Sequence, residues 1–429
     1  MRKSKNKLGV FACSSLVIGN MIGSGIFMLP TILASFGSIS LIGWLITSIG
    51  VTSLAFVFGE FSKELSLTGG PYAYCKKYMG DFIGYQVSWS YLAATIIGNV
   101  AIVIATISYI TELIPEVSTN HTLSLFLGIA IIWLITIINI LGIKTFKTIQ
   151  IATTIIKLIP IILVTFLGIS HINLDYLLEF NISSQSNFSA AAACTMITLY
   201  AFAGIESSTI PTNSIDNPKK TIKTATMIGA VATSIIYILS TFVLIGMFSP
   251  KMLATNNAPF AQAGEIIFGH MTNKLFAIIA ITTCICTAIG FLFVSGHASS
   301  AAANDGYLPK YMSQISNKQT PKNAFITSGI VMSILYFINY NKTIFFQFEE
   351  MLELSNIFLL IPYLCISISA IISWKNKQNI WAILIAILSC LYMMFAIFGS
   401  KTHNILQCLV AVLIMSAPYV IKKLRVYVK

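Results

Sequence analysis

Charge is what this chain has least of. Only 9% of its 429 residues are Asp, Glu, Lys or Arg, and the acids number 14. A soluble domain needs more charge than that on its surface, so the chain reads as a polytopic membrane protein. Low-complexity tracts and short-period repeats are missing too. So are the P-loop, HExxH and GxSxG patterns, which leaves ATP hydrolysis, a zincin and an α/β-hydrolase nucleophile without support. The eight cysteines are scattered; Cys284-Ile285-Cys286 has neither zinc spacing nor a second pair, and inert buried thiols are the plain reading. Neither a metal nor a cofactor is expected, and no nucleophile–base pair points to an enzyme.

Apolar residues make up 56% of the chain, and mean hydropathy is +0.84. Spans of about 20 apolar residues tile almost its whole length. We read twelve helices, at roughly 9–33, 39–60, 83–111, 122–142, 148–170, 188–211, 222–248, 275–303, 324–340, 354–373, 379–399 and 403–421. The short connections leave no room for a soluble domain, so residues 1–429 read as one transmembrane unit. The first helix follows a basic tail but is too long for a signal peptide and is expected to be retained.

The net charge of +12 is a topology signal. With the N-terminus in the cytoplasm, all of the 26 Lys and Arg fall inside except Lys157, Lys251, Lys274, Lys342 and Lys401. Both termini are therefore expected in the cytoplasm, and no nucleic-acid partner is implied.

Two segments are interrupted by small residues at matching places. Helix 1 carries Gly23-Ser24-Gly25 and helix 6 carries Ala203-Gly204-Ile205, each followed by a proline, Pro30 and Pro211. Five helices from each break give halves of about 9–170 and 188–373, with two more helices at about 379–421. An odd count per half inverts the second copy in the membrane, the plan of transporters with paired broken helices. Breaking a helix at bilayer depth frees backbone groups that protein, water or ligand must satisfy. Freed N–H groups at a helix N-terminus suit a carboxylate, and freed carbonyls suit an ammonium, so one such site suits an α-amino acid. The alternative is close helix packing through small residues. Glu206 lies beside the second break, the sole carboxylate deep in an apolar segment, and Lys157 is the sole deep base. Ionisable groups there are costly and mark pathways more than lipid contacts.

The stretch Gly19-Asn20-Met21-Ile22-Gly23-Ser24-Gly25-Ile26-Phe27-Met28-Leu29-Pro30 resembles the first-helix signature of the amino acid–polyamine–organocation (APC) permeases. Further matches follow in order: Gly69-Gly70-Pro71-Tyr72-Ala73-Tyr74, Gly98-Asn99, Phe202-Ala203-Gly204-Ile205-Glu206-Ser207, Asn217-Pro218-Lys219-Lys220, Ala303-Asn304-Asp305-Gly306 and Pro362-Tyr363. The likeness spans essentially the whole chain. It is strongest to the basic amino acid/polyamine antiporters, which exchange arginine for agmatine, lysine for cadaverine or ornithine for putrescine.

That resemblance implies an all-α fold of twelve transmembrane helices, a 5+5 inverted repeat with discontinuous helices 1 and 6. It implies a bacterial plasma-membrane transporter of amino acids or polyamines, with membrane lipid around it and room for a homodimer. By resemblance, the unwound Met21, Ile22, Gly23, Ser24 and Gly25 receive the substrate carboxylate, and the Ala203 carbonyl accepts from its α-amine. Ala94, Thr95, Asn99 and Ile102 line the pocket, with Ser355 at the far end of the side chain. Tyr91, Glu206 and Tyr363 form the cytoplasmic-side gate, Glu206 being the proton-sensitive group, and Phe348 matches an outer-gate aromatic.

Two departures stand out. Tyr200 and Phe291 occupy positions where those antiporters carry tryptophan, a better face for a cation. Lys157 stands where the arginine/agmatine type has an uncharged residue, and where sodium-independent members of the superfamily place a lysine in lieu of a bound cation. We read it as bridging helices 1 and 8; snorkelling to an interface is the rival reading. His297 reads as a packed, hydrogen-bonded imidazole, and Glu349, Glu350 and Glu353 as a solvated rim at an external helix end. The reading is an antiporter of cationic amino acids working by alternating access. Proton-coupled, sodium-independent uptake of a broader range of amino acids is the alternative. A channel is a further rival, which saturable, trans-stimulated flux would exclude.

Overall fold

A bilayer offers no hydrogen bonds to an open backbone, so a chain this apolar is driven into helices. In the computed structural model, which describes residues 8–64, 69–210, 215–256, 258–269, 272–316 and 320–427, every regular element is helical. For 143–152 and 422–427 only the backbone is described; Pro211 and the basic N-terminal tail lie outside the described residues.

The order is α1 (Val10–Met21), α2 (Ser24–Ala34), α3 (Ser40–Glu64), α4 (Pro71–Met79), α5 (Asp81–Thr111) and α6 (Glu116–Thr119). Next come α7 (His121–Leu141), α8 (Ile143–Gly168), α9 (Leu174–Leu178), α10 (Asn187–Leu199), α11 (Pro218–Met247) and α12 (Pro250–Ala254). The last third holds α13 (Pro259–Phe268), α14 (Thr272–Asn304), α15 (Lys322–Asn339), α16 (Ile344–Lys375), α17 (Ile380–Phe398) and α18 (Thr402–Tyr427). Among the described residues, eleven segments are long and apolar enough to cross a membrane, so the protein is a multi-pass membrane protein. The expected ninth span, α15, is not among them: Lys322, Asn323 and Asn339 at its ends shorten its apolar stretch.

Helix α5 is the hub, packing most extensively against α16 and α14, while α11 lies along α3. Burial is 89% across the apolar window of α5 and 11% across that of α18, so the second packs at the periphery. Helix α16 begins about ten residues before the expected start. Its acids are paired with partly exposed lysines: Lys401 pairs with Glu349 at 2.8 Å and with Glu353 at 2.8 Å, and Lys342 pairs with Glu350 at 2.5 Å. Asn404 also donates to Glu353, whose residue is only 8% exposed. Glu353 is thus a second buried carboxylate within a span, and the solvated-rim reading fails for it.

Both breaks are present. Helix α1 stops at Met21, Ile22 turns extended (φ −77°, ψ 96°), and α2 starts at Ser24. Ser24 and Gly25, expected to be unwound, are the first residues of α2, where their N–H groups lack intrahelical partners all the same. After α10, a 3₁₀ turn over Tyr200–Phe202 leads to Ala203 (φ −56°, ψ 132°) and then Gly204 at φ +101°. Only glycine suits Gly204, because a Cβ there would also stand 2.9 Å from the Asn20 side chain. The breaks touch: a Cβ on Gly25 would lie 3.1 Å from the Ala201 backbone.

Candidate functional site

Where the breaks meet, α2 points the start of its helix, with its free N–H groups and positive dipole end, at a small space between them. This cavity measures about 20 Å³, room for about one water molecule. Of the residues singled out in the sequence, Met21, Gly23, Ser24, Gly25, Ile102, Tyr200, Ala203 and Phe291 line it. Asn20 and Thr287 line it as well and were not anticipated. None of these carries a formal charge, so a cationic ligand would meet only dipoles and ring faces.

The remaining expected pocket residues face helix packing. Ser355 donates to the Ala94 carbonyl at 2.9 Å, Thr95 pairs with Ser295 at 2.7 Å, and Asn99 donates to the Thr95 carbonyl at 3.0 Å. Asn99 Oδ1 is buried with no hydrogen-bond partner. Ile22 is wholly buried beside the cavity and turns its carbonyl to Lys157.

One side of the cavity is closed by aromatic contact. Tyr200 Oη lies 3.0 Å from Ser24 Oγ and donates to the Gly98 carbonyl at 3.2 Å. Its ring meets Phe348 edge-on at 5.8 Å. Phe291 stands nearby, 3% exposed.

Glu206 is fully buried between two phenols: Tyr91 of α5 donates to Oε1 at 2.6 Å and Tyr363 of α16 donates to Oε2 at 2.6 Å. Each phenol donates its one proton, so both carboxyl oxygens of Glu206 are satisfied. Beyond Tyr91 lies a second small cavity that Tyr72 shares with a surface cleft of about 540 Å³. The cleft is bordered by Lys76 and Asp305, paired at 3.0 Å. Tyr91, one arm of the Glu206 clasp, thus lines the small cavity that adjoins this cleft through Tyr72.

Lys157, 1% exposed, sends its ammonium toward the first break. It donates to the carbonyls of Gly19 and, at 2.7 Å, Ile22, and reaches Thr287 Oγ1 of α14 at 3.3 Å. These carbonyls belong to the frayed end of α1, so a cation satisfies groups the break has freed. Tyr237 of α11 serves the breaks in a similar way, with its hydroxyl 2.5 Å from the Met21 carbonyl and 2.9 Å from that of Ala201. Sequence reasoning missed Tyr237, because a tyrosine in an apolar helix carries no distinguishing signal. His297 packs on Phe293 with ring centres 4.4 Å apart, and its Nε2 is buried without a hydrogen-bond partner. No cluster of metal-binding side chains occurs among the described residues.

The chain's full-length similarities match this architecture. The cadaverine/lysine antiporter of Escherichia coli (strain K12) is 29% identical over 419 residues, covering 96% of this chain and 94% of the relative. The putrescine transporter PotE of Haemophilus influenzae is 28% identical over 416 residues (95% and 94%), and PotE of E. coli K12 is 28% identical over 408 (94% and 92%). The sequence pattern described as Amino acid permease matches residues 8–419, and with it running from the start of α1 nearly to the end of α18, the protein belongs to that amino acid permease family.

Proposed function

We propose that this protein is a secondary active antiporter that exchanges a cationic amino acid for a diamine by alternating access. The observation that carries the reading is similarity over nearly the whole chain to transporters named for lysine, cadaverine and putrescine. The site chemistry supports it. The α2 N-terminus offers N–H groups to a carboxylate, and Ala203 offers a carbonyl to an ammonium. Tyr200 and Phe291 offer ring faces to a distal cation, worth about 1–2 kcal/mol when desolvated.

In this reading α15 completes twelve spans in one transmembrane unit. Two inverted five-helix repeats are followed by α17 and α18, both termini are cytoplasmic, and a bacterial plasma membrane surrounds it. Glu206 with Tyr91 and Tyr363 is the inner gate and proton-sensitive point, and Phe348 with Tyr200 closes the outer side. Lys157 does the work of a bound cation, so transport runs without sodium. The protein performs no covalent chemistry.

The test is counterflow in proteoliposomes preloaded with lysine, arginine, ornithine, cadaverine, putrescine or leucine, with sodium or choline outside. The expected result is labelled lysine uptake stimulated by internal cationic amino acid or diamine, far less by leucine, and unchanged in choline. Uptake that ignores the internal solute and follows an imposed proton gradient would make the protein a proton-coupled importer. Strong sodium dependence would remove the role given to Lys157.

A further inference from the structure

Tyr237 is fully buried and lies within hydrogen-bonding distance of both broken helices at once. Met21 is the last residue of α1, and Ala201 sits in the 3₁₀ turn where α10 gives way. Both carbonyls lie where regular helical hydrogen bonding lapses, at a depth where water cannot replace it. The Tyr237 hydroxyl reaches the first at 2.5 Å and the second at 2.9 Å. A phenol has one proton, so the two carbonyls share a single donor. The ring has little freedom to choose between them: Trp44 packs on it at 4.9 Å and Phe202, one residue past Ala201, meets it edge-on at 5.3 Å.

We propose that Tyr237 is a positioning residue that ties the two breaks together and so sets the spacing of the groups that recognise the α-carbon end of an amino acid. The inference rests on the antiport reading above and adds a residue and a selectivity to it. Two residues after Met21, the chain enters Gly23 and the free N–H groups of α2; two residues after Ala201 stands the Ala203 carbonyl. One hydroxyl therefore fixes the carboxylate-binding and amine-binding groups relative to each other. An amino acid needs both at once. A diamine has no carboxylate and needs only carbonyls and ring faces, so it is less sensitive to their spacing.

Tyr237→Phe keeps the ring, and with it the Trp44 and Phe202 contacts, while removing the shared donor. Its test is the binding of lysine and of cadaverine to purified wild-type and variant protein by calorimetry, on samples matched for monodispersity. The expected result is a lysine Kd raised about fivefold or more, the scale of one net hydrogen bond, with the cadaverine Kd changed less than about twofold. Equal weakening of both ligands, including loss of both, would reduce the hydroxyl to general packing and overturn the inference. So would no change in either. Wild-type protein that binds neither ligand would instead sink the antiport reading on which it rests.

Discussion

Lys157 and Glu206 are both ionisable, both essentially without solvent exposure, and both beside a broken helix, yet they are held in opposite ways. Backbone carbonyls and one threonine hold the lysine, and those carbonyls cannot leave without α1 itself moving. Two phenols, one from α5 and one from α16, clasp the glutamate in addition to backbone N–H groups of its own segment, so part of its support comes from side chains of two other helices. The difference teaches which charge is fixture and which is latch. A charge wired to backbone stabilises one geometry, whereas one held by side chains from two other helices can be released when those helices separate.

The largest expected effect falls on the fixture. Lys157→Ala leaves the Gly19 carbonyl with only the longer 3.3 Å contact from Thr287 and weakens the satisfaction of Ile22. At about 1–3 kcal/mol for each buried acceptor left unsatisfied, exchange should fall below about a tenth of wild type and the protein should lose thermal stability in detergent. Near-normal exchange and melting would show that the α1 break holds itself.

A smaller effect is expected at the latch. Removing both donors with Tyr91→Phe and Tyr363→Phe leaves a buried carboxylate with few partners, so the double variant should transport much more slowly than either single variant. Comparing single and double variants by a thermodynamic cycle measures how far the two phenols act together. Strictly additive losses would mean that they do not form one clasp.

The smallest expected effect concerns the aromatic pair. Tyr200→Trp with Phe291→Trp enlarges the ring surface without adding charge, so lysine and arginine should bind about two- to tenfold tighter and leucine should change less. Competition against labelled lysine reads this directly. Equal gains for all three ligands would place cation recognition elsewhere.

How legible these features were in the sequence follows from their physics. A lone acid and a lone base in apolar runs are conspicuous because charge is rare there, so Glu206 and Lys157 announced themselves. The breaks showed as glycine and serine in the middle of apolar segments, although helix α2 begins at Ser24, earlier than the composition suggested. Tyr91 and Tyr363 were visible only through family likeness, since nothing local sets apart a tyrosine whose partner is 115 or 157 residues away. Tyr237 and Thr287 were hidden for a similar reason, whereas Asn20 stood in the first-helix signature without its place in the cavity being foreseen. The start of α16 was misplaced because Glu349, Glu350 and Glu353 look like a helix boundary until Lys342 and Lys401 are found neutralising them.

The contrast between fixture and latch is tested most directly by the pH profile of lysine–cadaverine exchange in wild type and in Glu206→Gln. Glutamine keeps the shape and still accepts from a phenol, but it has no charge to gain or lose in this range. The account predicts an exchange rate that varies with pH in wild type and a nearly flat profile in the variant, with melting temperature preserved. An unchanged pH profile in Glu206→Gln would contradict it and leave Glu206 as a structural hydrogen-bonding group.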